Sequence, residues 1–279
     1  MEAGTSLSWV MPRVSVVVPT LNEAENLPHV LPSIPDWVHE VIVVDGRSSD
    51  NTVAVARALR PGVRVVIERR KGKGIALRSG FAAATGDVIV MLDADGSMDP
   101  QEIPVFVGAL LSGADFVKGS RFLQGGGTAD MTSLRRLGNL FFTLLVRGLF
   151  RGRYSDLCYG YSAFWSWVVP QLHLSGSGFE IETQMNIRAL QIDLRVMEVP
   201  SFEAERVFGA SNLRTFPDGW RVLRTIAREW RSPITKSGAP TNTTTLPAVT
   251  SDGQCPTSLE DYIVTRTPTS ARWLARSWR

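Results

Sequence analysis

Asp93 and Asp95, separated by Ala94, close the apolar run Val88–Leu92. Two carboxylates one residue apart at the end of such a run can present their oxygens to one hard divalent cation. Mg²⁺ or Mn²⁺ is commonly held by one or two carboxylates and completes its shell with phosphate oxygens and water. A cation held there neutralises a departing diphosphate. Asp45 follows Val41–Val44, where a carboxylate can accept N–H groups of a nucleobase; Asp45-Gly46 reads equally well as a turn or cap. Lys71-Gly72-Lys73-Gly74 combines lysine charge with glycines that let backbone approach a diphosphate closely. It is too short for a Walker loop, and basic turns are often only solvated. No Ser/His/Asp or Cys/His set accompanies these residues. His29, His39 and His173 have no matching partners and read as structural or surface positions.

The flanking elements supply the positioning. Val14–Val18, stopped by Pro19, reads as a buried strand, followed by a turn with Asn22 and Glu23 and a helix interrupted by Pro28, Pro32 and Pro35. Glu40–Val44, Val63–Glu68 and Asp87–Leu92 read as further strands. Helices are predicted over Thr52–Leu59, with Asp50 as its N-cap, and over Gly74–Ala84. Strands alternating with helices imply an α/β fold with a mostly parallel sheet covered on both faces. Ligands bind such sheets beyond the carboxyl ends of the strands. Asn22-Glu23, Asp45-Gly46-Arg47 and Asp93-Ala94-Asp95 all fall there, so three polar clusters converge on one rim. Later come a strand at Phe116–Arg121, a Gly125–Gly127 loop, and a helix over 132–150. A helix at Gly178–Leu190, a strand at Val196–Val199 and a helix at Trp220–Trp230 complete the reading.

The 279 residues suffice for one α/β domain over 1–231 and a tail over 232–279 whose early Ser/Thr/Pro/Gly-rich stretch predicts disorder. A net charge of +3 disfavours a nucleic-acid partner. Much of the excess is late, from Arg231 to Arg279. Cys158 and Cys255 lack metal-site spacing, so a reducing compartment is expected. Neither a signal peptide nor a membrane-spanning segment is expected.

Together these segments resemble the family 2 glycosyltransferases, in particular the branch of dolichol-phosphate mannose synthases and bacterial polyprenyl-phosphate glycosyltransferases. The resemblance runs from Val14 to Arg228. It is carried by Val18–Glu23, Val44–Thr52, Gly72–Ala76, Asp93–Gly96 and Gly119–Arg121, then by Asp156 with Tyr159–Phe164, Phe179–Glu182 and Glu205–Leu213. It implies a GT-A fold and a metal-dependent, inverting transfer of a hexose from a nucleotide-sugar, GDP- or UDP-linked. By the same resemblance Pro19, Asn22, Glu23 and Asp45 line the nucleoside pocket, with Lys73 nearby. Asp93 and Asp95 hold Mg²⁺ or Mn²⁺, and Ala94 touches the donor. Arg121 and Arg206 contact donor or acceptor phosphate, while Asp156 and Glu182 shape the sugar site. Three positions depart from the pattern. Ser97 stands where relatives often carry a Gln metal ligand, Ser211-Asn212 where they carry Ser-Lys, and Asp45-Gly46-Arg47 where many have Asp-Asp-Gly.

A polyprenyl phosphate acceptor is already anionic near neutral pH. It needs only positioning by Arg121 and Arg206, whereas a hydroxyl acceptor would need a base such as Asp156 or Glu182. The stretch 132–153 favours the lipid. Leu137, Leu140, Phe141 and Leu144 lie on a broad apolar face flanked by Arg135, Arg136, Arg147, Arg151 and Arg153. That pattern suits a helix lying at an anionic membrane surface, at the cytoplasmic face. The same face would also suit packing on the domain core, and Ala271–Arg279 offers a second weak contact. The competing readings are a soluble glycosyltransferase with a hydroxyl acceptor, a nucleotide-sugar-binding protein without turnover, and a nucleotidyltransferase.

Overall fold

A computed structural model describes residues 11–210 and 213–234. The pair Ser211-Asn212, Cys255, the residues of the expected tail beyond Ile234 and the segment 271–279 lie outside the described residues.

The central sheet has seven strands. β1 (Val14–Thr20) lies between β2 (Glu40–Asp45) and β4 (Val88–Met91), and β3 (Arg64–Ile67) flanks β2. All four run parallel, with Val17 opposite both Ile42 and Met91 and Thr20 opposite Asp45. This register brings the ends of β1, β2 and β4 to one edge. The sheet continues through β7 (Ser162–Trp165), β5 (Phe116–Ser120) and β8 (Val196–Pro200). β7 is antiparallel to both neighbours, so the sheet is mostly parallel, as expected, with one reversed strand that the sequence did not show. Its four residues are too few for periodicity to reveal a strand.

Alternation along the strands sorts their side chains onto two covered faces. Val16, Val18, Val41 and Val43 pack with Leu27 and Val30 of α1 (Leu27–Val30) and with Phe106 of α4 (Ile103–Leu111). Thr52–Leu59 forms α2 on the same side. Val17, Ile42 and Val44 pack with Leu77 and Phe81 of α3 (Lys73–Ala83), alongside Ile181 and Met185 of α7 (Glu180–Gln191). Near the chain's short helix α6 (Val168–Gln171), Val168 joins this second layer. α4 escaped the sequence analysis because Ile-Pro-Val-Phe-Val is apolar throughout and shows no helical stripe. A third cluster unites Val146 of α5 (Ser133–Phe150), Ile187 of α7 and Val222 and Ile226 of α8 (Thr215–Arg231). α8 begins five residues before the expected Trp220. β6 (Gly127–Thr128) and β9 (Phe202–Glu203) pair in parallel as a separate two-stranded sheet. The helix over Thr52–Leu59 is as expected; Asn51 holds the cap position, while Asp50 accepts the N–H of Thr52 at 3.0 Å.

Candidate active site

Beyond β1, Asn22 adopts a left-handed φ of 58°, which turns the chain sharply into α1. Its Oδ1 accepts the Ser49 N–H at 2.7 Å, tying the β1 turn to the β2 turn. Asp45 is 4% exposed at the tip of β2. One of its oxygens accepts the N–H groups of Arg47 and Ser48 at 3.2 and 3.1 Å; the other, Oδ1, is buried with no partner. A buried acceptor without a donor is costly, so Asp45 fits a ligand N–H. Pro19 is half-buried one residue before the end of β1, beside Val44 in register.

Glu23 is nearly buried and binds the Asn26 amide at 2.6 Å and the Arg206 guanidinium. Burial pushes the Glu23 carboxyl up despite those two partners. Arg206 also reaches Asp95 at 3.1 Å and the Phe208 carbonyl at 2.8 Å. The segment 204–208 is fastened along its length. Ala204 N–H bonds the Ser97 carbonyl, Val207 N–H bonds the Asp95 carbonyl, and Phe208 N–H bonds Asn26. Gly96, with φ 79°, leaves room for Val207, whose Cγ2 would lie 2.7 Å from any added Cβ.

Asp93 and Asp95 lie just past β4 with Ala94 buried between them. Lys73, at the start of α3, reaches Asp93 at 2.7 Å and Glu182 of α7 at 2.7 Å. Burial opposes the charge on Lys73, but the two carboxylates outweigh it and hold it protonated. Burial pushes the Asp93 carboxyl up; Lys73 opposes this, and the negative charges of Asp95 and Glu182 add to it. This crowding of negative charge, with both side chains still a fifth or more exposed, suits a hard cation. No group of three or more His, Cys, Asp or Glu among the described residues is arranged to hold a metal. A cation held by Asp93 and Asp95 alone would need most of its shell from outside the protein, the usual case for Mg²⁺ beside a phosphate. Ser97 caps Asp95, donating its hydroxyl at 2.7 Å and its N–H at 3.1 Å to Oδ1.

Arg121 follows β5 and is gripped by two acids. Asp156, wholly buried, takes its Nε at 2.7 Å and Nη2 at 2.9 Å; Glu203 takes Nη1 at 2.9 Å. Burial alone would raise the Asp156 carboxyl, but Arg121 more than offsets it and holds the pKa below its ordinary value. With both oxygens engaged, Asp156 serves to orient Arg121. The structure therefore joins Lys73, Asp93 and Glu182 in one cluster, Glu23, Asp95 and Arg206 in a second, and Arg121 with Asp156 in a third. The sequence analysis missed Glu203, Asn26 and Glu180, whose Oε2 is buried without a partner beside the start of α7. Glu203 and Asn26 carry no local motif. Glu180 lay within the Phe179–Glu182 stretch that carries the resemblance but was given no role of its own.

The sheet, its covering helices and the acidic rim define a GT-A-like fold of the kind that handles nucleotide-sugars. The profile of the family "Glycosyl transferase family 2" matches residues 15–165, and the chain belongs to that family. It is similar to an uncharacterized glycosyltransferase of Mycobacterium tuberculosis, 47% identical over 39% of this chain and 48% of the relative. It is also similar to a dolichol-phosphate mannosyltransferase of Pyrococcus furiosus, 34% identical over 72% of this chain and 59% of the relative. The chain thus spans roughly half the length of these curated relatives. A solved glucosyl-3-phosphoglycerate synthase from Mycobacterium tuberculosis, in complex with Mn²⁺, UDP-glucose and phosphoglyceric acid, superposes with TM-score 0.61 at 27% identity. The match covers 83% of this chain and 88% of that one.

Proposed function

We propose that this chain is a metal-dependent glycosyltransferase that moves a hexose from a nucleotide-sugar to a polyprenyl phosphate at a membrane surface. The observation that carries the lipid acceptor is the outer face of α5. Leu134, Leu137, Leu140, Phe141 and Leu144 are each more than half exposed, in a helix whose opposite face packs on α7 and α8. Exposed Arg136, Arg147, Arg151 and Arg153 surround them, the arrangement of a helix that lies at an anionic lipid surface. No helix among the described residues is long and apolar enough to cross a membrane.

Asp45 receives the base, and Pro19, Asn22 and Glu23 line the nucleoside pocket. Asp93 and Asp95 hold Mg²⁺ or Mn²⁺, with Ala94 against the donor. When bound, the cation stabilises the leaving nucleoside diphosphate. Arg121, held in place by Asp156, and Arg206 draw the acceptor phosphate into line. An acceptor oxygen forms the new bond to the anomeric carbon as the bond to the diphosphate breaks, with inversion. The acceptor is already an anion, so no base is needed.

A second reading has one observation in its favour. The synthase that superposes on this chain was solved with phosphoglyceric acid, so a small phosphorylated acceptor would suit the same arginines. The test incubates the protein with Mn²⁺ and radiolabelled UDP-glucose or GDP-mannose, offering either a short polyprenyl phosphate or 3-phosphoglycerate. Metal-dependent label in the lipid phase upholds the proposal. Label in phosphoglycerate alone replaces it with the second reading, and nucleotide binding without transfer to either overturns both.

A further inference from the structure

Among the buried charges that the proposed reaction does not use, Lys118 is the one most completely enclosed beside the site. Lys118 sits in the middle of β5, 0% exposed, where the pattern Phe116-Val117-Lys118 calls for an apolar residue. A lysine is almost never fully buried without a partner that repays its lost hydration. Alternation along β5 puts its side chain on the same face as Phe116, which packs beside Ile181 and Met185 of α7. Its ammonium donates to the Tyr159 carbonyl and lies 5.9 Å from that residue's ring.

The groups that face it are all parts of, or supports for, the proposed sugar site. Asp156 comes from the loop before β7, Glu182 from α7 and Glu198 from β8, and Arg121 is the neighbouring cation. Glu198 accepts the N–H groups of Ser155 and Asp156, at 2.8 and 3.2 Å, and so fixes the Asp156 backbone. Gly160, the residue after the Lys118 acceptor, backs directly onto Glu182: a Cβ there would lie 2.9 Å from Glu182 Oε1. That oxygen also carries Lys73. Arg121 is already divided between Asp156 and Glu203, and Lys73 between Asp93 and Glu182. Neither is free to balance the remaining negative charge.

We propose that Lys118 is a positioning residue for the sugar-binding floor. It pins Tyr159-Gly160 beneath Glu182 through the Tyr159 carbonyl, and so sets where the Glu182 carboxylate stands in the site. It touches no substrate, and acts through those residues. The inference rests on the nucleotide-sugar reading of the site and makes a narrower claim: Lys118 governs recognition of the hexose and leaves recognition of the nucleotide alone.

Calorimetric binding in Mn²⁺ tests it without requiring transfer, using UDP-glucose against UDP and GDP-mannose against GDP. Lys118→Met removes donor and charge at nearly constant length; Lys118→Gln keeps a donor and removes the charge. The expected result is nucleoside diphosphate affinity within twofold of wild type in both variants. The sugar-nucleotide that the wild type prefers should bind at least tenfold more weakly to the Met variant. The Gln variant, which keeps a donor for the Tyr159 carbonyl, should fall between wild type and the Met variant. Phe116→Leu, a packing change on the same face of β5, should leave both affinities unchanged.

Equal weakening of diphosphate and sugar-nucleotide would overturn the claim, as would a Phe116→Leu variant that behaves like Lys118→Met. Unchanged binding in the Met variant would do so too. If neither Lys118 variant folds while Phe116→Leu does, Lys118 is a folding residue and the claim falls. A wild type that binds no nucleotide defeats the donor reading itself, and the wild-type titration separates that outcome from the others.

Discussion

Replacing Asp156 with Asn separates the two roles that residue can play. In the structure Asp156 accepts three hydrogen bonds from Arg121, at 3.2 Å from its N–H, 2.7 Å from Nε and 2.9 Å from Nη2. Asn keeps the shape and one acceptor oxygen, but its amide nitrogen must face an Arg121 N–H, donor against donor. At least one charge-assisted bond is lost, worth about 1.5–3 kcal/mol, and a buried guanidinium loses half its counter-charge. Breaking a buried pair in this way costs about 3–5 kcal/mol, and the surviving Glu203 contact places the expected loss near the lower end, about 3 kcal/mol. For a domain of this size that lowers the melting temperature by roughly 6–12 °C. Scanning calorimetry and urea unfolding read it directly. The sign with pH follows from the lowered Asp156 pKa. Its contribution is complete above the unfolded value of 3.8 and is lost as pH falls below that, so wild type and variant should converge in acid. The transfer rate should fall without any change in the shape of its pH profile between 6 and 9, because a positioned arginine, not a base, has been disturbed. A loss below about 1 kcal/mol, or a rate that becomes linear in hydroxide concentration, would refute the assignment of Asp156 as an anchor.

Asp95→Ala should abolish Mn²⁺-dependent transfer; persistent metal-dependent turnover would rule Asp95 out as a ligand. Changing Leu140, Phe141 and Leu144 together to Ser removes three side chains that are each more than half exposed, so folding should be little affected. Co-sedimentation with vesicles containing anionic lipid should drop severalfold, whereas unchanged sedimentation would remove α5 from the membrane contact. Gly74→Ala would place a Cβ 2.6 Å from the Gly176 carbonyl oxygen, a backbone clash at the start of α3. Thermal unfolding should show a loss of about 1–3 kcal/mol, and a neutral result would mean that this close approach relaxes freely. Glu229→Gln should weaken the junction of α7 with α8, where Arg188 and Gln184 grip the buried carboxylate at 2.8–2.9 Å. Because its pKa is lowered, acid unfolding of the wild type should cover pH values below 4.5, and the variant should lose that component.

What was legible in the sequence was whatever repeats along it. Val14–Val18, Glu40–Val44 and Val88–Leu92 are dense β-branched runs, so three strands and the carboxylates just beyond them were visible before any coordinates. The α5 stripe was visible for the same reason, with helical periodicity over five turns. The pairings were not legible. β7 lies between β4 and β5 but follows both in sequence, and no local pattern encodes that insertion or its reversed direction. α7 illustrates the other failure. Glu180 through Ala189 are all buried, polar residues included, because the helix is enclosed by the sheet and α8. A sequence reading expects one wet face on such a helix and would assign Gln184 and Arg188 to it. Their burial is satisfied by Glu229, 45 and 41 residues away, and by the backbone of 172–176.

The same distinction governs the site. Asp93 and Asp95 announce themselves by spacing, whereas the cations that balance them arrive from α3 and from the segment after β9. Lys73 reaches Asp93 and Arg206 reaches Asp95, so the two acids are not equivalent. Asp93 shares its lysine with Glu182 of α7, and Asp95 shares its arginine with Glu23, in the turn after β1. A cation bound to both acids competes with two fixed positive charges, each of which has a second carboxylate to retreat to. Lys73 and Arg206 can therefore yield Asp93 and Asp95 without being left unpaired in a buried site, which keeps the cost of admitting the metal low. On the proposed reading, Lys73 and Arg206 would then be free to turn toward the diphosphate of the donor. If the proposed reading holds, the charges that neutralise the rim are the ones left to meet the leaving group when the cation enters.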